Sequence, residues 1–249
     1  MNLLEATKLV KSYDGRVVVN QISFVVHQEE IVGILGRNGA GKTTTFRMIM
    51  GMIRPDSGAV AFDGQDVTHL PMFKRARRGI GYLSQERSDF RRLTVWQNMQ
   101  VVLETRNLRR SERIRKAEEL LGHYGLIKLK RQRADTLSGG ERRKLEICRA
   151  LCSDPKLILL DEPFTGVDPL AVQDLQNEIK RLKNEFRKSV LITEHKVVEA
   201  LHICDRAVII VDGEKIMDDV PRKIIKDPRV KEEYLGNTFK GDEFDRPGA

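Results

Sequence analysis

The sequence predicts an α/β fold, in which a parallel-sheet core carries an antiparallel β subdomain and an inserted helical subdomain. The main apolar runs are continuous, which is typical of strands buried on both faces of a sheet. They occupy residues 31–35, 157–160, 190–192 and 207–211. Helical patterns separate them, and one, from Leu175 to Phe186, repeats at the spacing of a single buried stripe. Strands that alternate with helices favour a parallel sheet.

The remaining segments predict the two additions to this core. Residues 4–26 indicate two strands around an Asp-Gly turn, and residues 57–67 indicate a further strand and turn, as in an antiparallel flap. Residues 94–123 carry no strand signal and indicate helices. We therefore expect a core with its β subdomain at 1–85 and 138–235, a helical subdomain at 86–137 and a loose polar tail at 236–249.

Charge and hydropathy limit where the chain works. No apolar run approaches the roughly 18 residues of a membrane span, and the first residues lack the layout of a signal peptide, so we expect the chain to stay in the cytosol.

Residues 86–137 hold 13 Lys or Arg against 7 Asp or Glu, which is most of the net charge of +8. Such a segment is either a solvated helix face or a surface that meets nucleic acid or an anionic membrane. It lacks the interleaved aromatic residues that favour nucleic acid.

The three cysteines are too few for a disulfide framework. Cys148 and Cys152 are spaced to share a helix face, where a metal could bind. Because no second cysteine pair or well-spaced histidine accompanies them, we interpret them as small buried hydrophobic residues.

A glycine-rich loop carries the strongest chemical signal. Residues 36–43 satisfy G-x-x-x-x-G-K-[ST], with an apolar strand before them and a helical stretch after them. Such a loop curls its N–H groups around phosphate, and the helix N-terminus adds a favourable dipole. Lys42 is expected to reach the β- and γ-phosphates and Thr43 to bind Mg²⁺, unless this is a chance glycine-rich turn. The predicted nucleotide contacts are Gly36, Arg37, Asn38, Gly39, Ala40, Gly41, Lys42, Thr43 and Thr44.

Two carboxylates follow the apolar run at 157–160. Parallel strands end at the ligand crevice of such a sheet, so Asp161 and Glu162 are expected beside the phosphate loop. We interpret Asp161 as a Mg²⁺ ligand, direct or through water, and Glu162 as the general base for the attacking water. The alternative is a strand that ends in a solvated acidic turn.

A second glycine motif, LSGGE at residues 137–141, resembles another phosphate cradle. It also fits a helix start, since Ser138 and Glu141 have the spacing of a capping box. The motifs follow the order phosphate loop, Gln85, LSGGE, LILLDE and then His195. This order resembles the ATPase subunits of ATP-binding-cassette (ABC) transporters over roughly residues 3–235. The resemblance implies a P-loop NTPase (RecA-like) core in the ABC ATPase fold.

The resemblance also implies a reason why one chain has both a phosphate loop and an LSGGE motif. In that family two subunits meet head to tail as a dimer that closes on two ATP molecules. Each ATP lies between the phosphate loop of one subunit and the LSGGE motif of the other. The residues implied to contact the opposite ATP are Ser138, Gly139, Gly140 and Glu141.

Four further roles come from the resemblance alone. Tyr13 resembles the aromatic residue that stacks on adenine; its alternative is a half-buried strand tyrosine. Gln85 resembles the residue that senses Mg²⁺ and the γ-phosphate, and Asp168 resembles the aspartate that communicates across the dimer. His195 resembles the switch histidine that holds the γ-phosphate and orients water. By themselves Gln85 and His195 would be ordinary surface or core residues.

Several stretches are similar to the ATPase of lipopolysaccharide-export systems in Gram-negative bacteria: residues 75–99, 161–169, 191–195 and 230–236. This similarity implies a motor that powers lipopolysaccharide extraction from the inner membrane and its export, working on the cytoplasmic face. It implies two membrane-spanning partner subunits that dock near Phe90, Arg91 and Arg92, and no nucleic acid. A plain solvated loop is the alternative for these three residues. The chain departs from the family pattern at Arg37, Ser84 and Asp89.

Other functions remain open at this point. The ATPase of a branched-chain amino-acid importer has similar short motifs and length. A non-transport ABC protein acting on nucleic acid or ribosomes usually has two cassettes or a long coiled coil, and this chain has neither. A nucleotide-binding scaffold without catalysis is disfavoured because Glu162 and His195 are both present.

Overall fold

A computed structural model describes residues 1–84 and 89–236, without the side chain of Leu170. The chain divides into two compact units. The first joins Met1–Ile80 to the chain from Lys156 onward, and the second is Gly81–Pro155. Gln85 and the tail after Gly236 lie outside the described residues.

The strands of the described residues are β1 (Asn2–Tyr13), β2 (Arg16–His27), β3 (Ile31–Leu35), β4 (Ser57–Phe62), β5 (Gln65–Asp66), β6 (Ile80–Leu83), β7 (Leu157–Asp161), β8 (Ser189–Glu194), β9 (Arg206–Val211) and β10 (Glu214–Asp219). The helices are α1 (Lys42–Met50), α2 (Met72–Arg78), α3 (Val95–Glu104), α4 (Arg110–His123), α5 (Gly139–Cys152), α6 (Pro169–Asn184), α7 (Val197–Leu201), α8 (Pro221–Ile224) and α9 (Pro228–Val230). Short 3₁₀ turns lie at Ile127–Leu129 and Ala134–Thr136, and a π-helical turn lies at Lys231–Leu235. No helix in the described ranges is long and apolar enough to cross a membrane.

The antiparallel flap forms as predicted. Its strand order is β2-β1-β4-β5. Between β1 and β2, Asp14 and Gly15 have φ values of 49° and 78°, and Tyr13 pairs with Arg16. Two consecutive left-handed residues match the right-handed twist of a two-residue hairpin, which is why Asp-Gly favours this turn.

The parallel core confirms the prediction from the apolar runs, which all become strands. The order is β10-β9-β3-β8-β7-β6, and β6 begins at Ile80, where the first unit ends. β3 pairs in parallel with β8 and β9, and β7 pairs in parallel with β8. Leu35 is opposite Glu194, and Asp161 is opposite Thr193. The carboxyl ends of β3, β7 and β8 therefore meet at one edge of the sheet, where ligands of such sheets bind.

The second unit is helical, and it extends beyond the predicted 86–137 at both ends. Its last helix, α5, was expected in the core, but it contacts α3 and α4 through its buried side. Cys148 and Cys152 lie on that buried side, and the thiol of Cys148 donates to the carbonyl of Leu120 at 3.6 Å. Burial raises the pKa of the Cys152 thiol to about 12, as expected for a hydrophobic packing residue.

Candidate nucleotide-binding and catalytic site

The phosphate loop connects the buried end of β3 to the first turn of α1. Gly36 lies so close to β9 that an added Cβ would approach the carbonyl oxygen of Ile210 to 2.2 Å. Gly41 has a φ of 98°, and a Cβ there would lie 2.6 Å from the carbonyl oxygen of Val18. Both positions therefore require glycine for reasons of backbone packing and conformation.

Lys42 occupies the interior of this loop and is only 3% exposed. Its Nζ donates to the carbonyls of Gly36 at 2.8 Å and Arg37 at 3.0 Å. Burial lowers the pKa of the ammonium, while the carboxylates of Glu162, Glu194 and Asp161 oppose that shift. A buried cation held by loop carbonyls, with three carboxylates near it, is a charge arrangement suited to a polyanion with a bound cation.

The first turn of α1 is open to an anion. It contains no acidic residue, and its N-cap, Gly41, has no side chain to cap the helix N–H groups. Thr43 and Thr44 are partly exposed there, whereas Thr45 turns inward and donates to the carbonyl of Gly41 at 3.0 Å. The orphan N–H groups of a helix start need such an acceptor. At the outer side of the loop, Arg37, Asn38 and Gly39 are exposed, while Ala40 is buried.

Asp161 and Glu162 end β7 beside this loop. Asp161 Oδ1 accepts from the hydroxyl of Thr193 at 2.6 Å. Glu162 has a left-handed backbone with φ 43°, and its N–H donates to the carbonyl of Thr193 at 3.0 Å. A non-glycine residue in that region costs about 1–3 kcal/mol, and such strain is concentrated at functional sites. The turn gives Glu162 a different direction from the strand residues that precede it.

His195 follows β8 and lies next to Glu162. Its Nδ1 is 3.5 Å from Glu162 Oε2 and 3.7 Å from Glu194 Oε2. That nitrogen is buried, and among the described residues it has no hydrogen-bond partner. Glu162 Oε2 also accepts from the hydroxyl of Thr165 at 3.2 Å. The sheet therefore brings together the phosphate loop, the acidic pair and the histidine, all of which the sequence had suggested.

Four residues at this site were not assigned a role from the sequence: Thr193, Glu194, Lys196 and Tyr234. Thr193 and Glu194 end a fully buried strand, and polar residues at that place in a parallel sheet are a signal that could have been used. Tyr234 gave no local signal, because its position depends on how the end of the chain folds back.

A cavity of about 390 Å³ lies beside the histidine. Its lining residues are Arg37, Asn38, His195, Val197, Val198, Glu199, Tyr234 and Leu235. Burial raises the pKa of the Tyr234 phenol, and the carboxylate of Glu194 adds to that rise. The end of the described chain therefore lies against the phosphate loop.

Tyr13 ends β1 and is 45% exposed. The Nζ of Lys11 lies 5.6 Å from the ring centroid and also pairs with Asp56 at 2.6 Å. Asp56 in turn accepts from the N–H of Ser12 at 2.7 Å, so one carboxylate fixes the strand end that carries the ring.

In the second unit, LSGGE starts helix α5. Ser138 and Glu141 form the predicted capping box, with Ser138 N–H donating to Glu141 Oε2 at 2.9 Å and Glu141 N–H donating to Ser138 Oγ at 3.3 Å. Gly139 and Gly140 are exposed, and a Cβ added at either would meet none of the described residues within 4 Å. Since glycine costs a helix about 1 kcal/mol relative to alanine, packing among the described residues gives no reason for either glycine.

The other predicted residues have the following places. Asp168 is exposed at the start of α6. Arg91 and Arg92 are exposed, and Phe90 is 43% exposed with the Arg149 guanidinium 4.9 Å from its ring centroid. Gln85 lies outside the described residues, so the structure gives no geometry for it.

Among the departures from the family pattern, Asp89 is buried beside two arginines. Arg142 Nε is 3.8 Å from Asp89 Oδ2. Burial lowers the pKa of Arg149, and Asp89 opposes that shift. The acidic residue therefore compensates buried positive charge in the helical unit.

Comparison with known proteins was consistent with this geometry. A family model described as ABC transporter matches residues 19–165. The chain is 49% identical over 241 residues to the lipopolysaccharide export system ATP-binding protein LptB of Haemophilus influenzae, covering 96% of this chain and all of that protein. The same protein of Escherichia coli strain K12 is 47% identical to this chain over 241 residues, again covering 96% of this chain and all of that protein. That of Acidithiobacillus ferridurans is 48% identical, covering 96% of this chain and 98% of its own.

Solved structures resemble the fold over almost the whole chain. The ADP conformation of MJ1267, an ATP-binding cassette of an ABC transporter, matches with a TM-score of 0.83 and 27% identity, covering 95% of this chain and all of that one. The cbiO1 protein of Clostridium perfringens, part of the ABC transporter complex cbiONQ, matches with a TM-score of 0.84 and 25% identity over 93% of each chain.

Proposed function

The chain belongs to the ABC transporter family of ATPases, and from that membership we propose that it is the ATP-hydrolysing subunit of a lipopolysaccharide export system. The identity of 47–49% extends over nearly the full length of proteins that carry this name. The observation that carries the catalytic part is the meeting of Lys42, Glu162 and His195 at one edge of the sheet, with Glu162 and His195 3.5 Å apart.

The nucleotide phosphates bind in the loop at 36–44. Its N–H groups and the first turn of α1 stabilise the phosphate oxygens, and Lys42 exchanges its loop-carbonyl partners for the β- and γ-phosphates. The exposed ring of Tyr13 stacks on the base. Arg37, Asn38 and Gly39 lie at the exposed rim, where they border the bound triphosphate.

The donor set at the site fits Mg²⁺, a hard cation that prefers oxygen ligands. Thr43 contributes a hydroxyl and Asp161 a carboxylate, directly or through water, and Gln85 is the third ligand that we propose. Thr193 orients Asp161 by donating to its Oδ1 at 2.6 Å, so that its other oxygen is left for the cation. When bound, the cation neutralises negative charge on the β- and γ-phosphates.

Glu162 and His195 act on the attacking water. Glu162 accepts a proton from that water as it attacks the γ-phosphate. Thr165 and the strained backbone fix the carboxylate, which limits the orientations that Glu162 can adopt. His195 holds the γ-phosphate and orients the water, using a ring that is only partly exposed.

Two copies of the chain close on two ATP molecules. The exposed helix start at Ser138, where a Cβ added at Gly139 or Gly140 would meet none of the described residues, supports a role toward the ATP of the other subunit. Glu141 keeps that helix start in place through the capping box. Asp168 stands exposed where it can communicate across the dimer.

The remaining proposal concerns cargo and partners. Two membrane-spanning subunits bind near Phe90, Arg91 and Arg92, whose exposed aromatic and cationic side chains suit an interface. The chain then works on the cytoplasmic face of the inner membrane, where lipopolysaccharide is extracted for export to the outer membrane.

The test of this proposal is to purify the chain in mild detergent from the membranes of the organism that carries it and to identify its partners by mass spectrometry. We expect two integral membrane proteins with large periplasmic domains, and we expect lipopolysaccharide to accumulate in the inner membrane when the chain is depleted. Copurification of amino-acid permeases, with normal lipopolysaccharide transport after depletion, would overturn the proposed cargo. The assignment as an ATPase would remain.

A further inference from the structure

The backbone of Phe164, two residues after Glu162, is held at its N–H and at its carbonyl by the neighbours of His195. Its N–H donates to Glu194 Oε1 at 2.7 Å. Its carbonyl accepts from the Nζ of Lys196 at 3.0 Å. We name this arrangement of Phe164, Glu194 and Lys196 the Phe164 clamp.

The same carboxylate also fixes the histidine segment. Glu194 Oε2 accepts from the N–H of His195 at 3.0 Å and from the N–H of Lys196 at 3.2 Å. The Glu194 side chain is completely buried. One buried carboxylate therefore joins two segments that are distant in sequence, one after β7 and one after β8.

A short turn connects the clamped residue to Glu162. The N–H of Thr165 donates to the carbonyl of Glu162 at 3.1 Å, and the Thr165 hydroxyl donates to Glu162 Oε2 at 3.2 Å. Phe164 lies inside this turn, and its own ring is fully buried. A shift of the Phe164 backbone would move this turn and, with it, the carboxylate of Glu162.

Burial of a carboxylate is unfavourable, and burial raises the pKa of Glu194 against the effect of its three backbone N–H donors. The three residues before Thr193 in β8 are apolar, so a carboxylate is not what strand packing alone favours at this end. Among the described residues, Glu194 bonds to Phe164, His195 and Lys196, which lie at the proposed site of hydrolysis.

We propose that Glu194 and Lys196 are positioning residues that hold Glu162 and His195 in a fixed relation, so that the Phe164 clamp determines the rate of ATP hydrolysis rather than the affinity for ATP. The inference rests on the role proposed above for Glu162 and His195, and it is independent of the cargo. Neither residue touches the nucleotide in this scheme.

The experiment compares Glu194→Gln, Glu194→Asp and Lys196→Met in the full chain, with Glu178→Gln on α6 as a matched control outside the site. An amide has only one acceptor oxygen. Glu194→Gln therefore loses either the bond from Phe164 or the bonds from His195 and Lys196, while the side chain keeps its size. We expect kcat to fall about 10-fold or more, as for a misplaced catalytic group, with KM and ATP affinity within about twofold. Glu194→Asp should recover part of kcat, and Glu178→Gln should match the parent.

A double variant separates positioning from general destabilisation. If the clamp acts through Glu162, adding Glu194→Gln to Glu162→Gln should cause little further loss of residual turnover. An unchanged kcat in both Glu194→Gln and Lys196→Met would overturn the proposal. A parallel loss of kcat, ATP affinity and thermal stability would overturn it as well, since that pattern indicates a purely structural role. Full turnover in the single variant Glu162→Gln would instead refute the base assignment on which the clamp rests.

Discussion

At the scale of single residues, the site is a small set of side chains whose directions are fixed by neighbours. Glu162 owes its direction to a left-handed backbone and to Thr165, and His195 owes its place to the end of β8. The charged groups are buried or half-buried, and three carboxylates lie near the ammonium of Lys42. Changes of one functional group should therefore give separable effects on binding and on turnover.

Replacement of Glu162 by glutamine should stop turnover and spare binding. General-base catalysis contributes about 10²–10⁴-fold, so we expect kcat to fall at least about 100-fold. ATP affinity should change little, because the amide keeps the shape of the side chain. Steady-state hydrolysis and equilibrium ATP binding measure the two effects, with Glu178→Gln as the control. A variant that hydrolyses ATP at the parent rate would show that another group is the base.

Replacement of Tyr13 by alanine should weaken ATP binding selectively. Aromatic stacking on a base contributes about 1–3 kcal/mol, which corresponds to roughly 5- to 150-fold in affinity. Tyr13→Phe keeps the ring and should bind like the parent. Competition experiments with ATP and with inorganic triphosphate measure the difference. An equal loss of affinity for both ligands would contradict stacking, because triphosphate has no base.

The residues that could be predicted were those in local motifs, because spacing alone places them. Lys42, Asp161 and Glu162 follow directly from the order of strand, loop and helix. The contacts of Glu194 and Lys196 with Phe164 could not be predicted in this way, since Phe164 is 30 residues from Glu194 in sequence and 32 from Lys196. Only the pairing of β7 with β8 brings those segments together.

At the scale of helices and strands, the periodicity of the sequence predicted the sheet well and the unit boundary less well. Continuous apolar runs identify buried strands, and this prediction does not depend on which elements pack against the sheet. The place of α5 depends instead on tertiary contacts, since its apolar side packs against α3 and α4. Its N-terminal motif was predicted because a capping box is local.

The capping box of α5 provides a test that depends on pH. The Ser138 hydroxyl and N–H lower the pKa of Glu141 from its usual 4.5. A depressed carboxyl pKa stabilises the fold above the usual value, and this contribution is lost as the pH falls through the folded pKa. We therefore expect the backbone amides in the first turn of α5 to lose protection against hydrogen exchange as the pH falls through the folded pKa of Glu141.

The matched variant for this measurement is Glu141→Gln, which keeps the capping geometry without a titratable group. Hydrogen exchange of the parent and the variant is compared at each pH, so that the intrinsic pH dependence of exchange cancels. The ratio of their protection should change below about pH 4.5. A ratio that is constant with pH would show that ionisation of Glu141 does not stabilise the helix start.

At the scale of the whole molecule, the central feature is that one chain carries two glycine-rich motifs in separate compact units. The phosphate loop lies in the first unit and LSGGE in the second. The sequence could suggest their division between two nucleotides only through family resemblance, because an interface between copies is not encoded in any local pattern. The exposure of Gly139 and Gly140, and the open space around a Cβ added at either among the described residues, support this division.

Two inactive variants test whether the motifs serve different nucleotides. Lys42→Ala removes the phosphate-loop cation, and Gly140→Asp adds a negative charge where the chain leaves space. In a head-to-tail dimer of one copy of each, one site lacks both features and the other site is intact. The matched control replaces the Gly140→Asp partner with the double variant, which leaves no intact site in any pairing.

The measurement that tests the account most directly is ATP hydrolysis by the mixture of Lys42→Ala and Gly140→Asp chains. The account predicts turnover well above the sum of the two separate proteins, and no such gain in the control mixture. Turnover no greater than that sum, with both variants folded and able to associate, would contradict it, because the two motifs would then have to act on the same nucleotide within one chain.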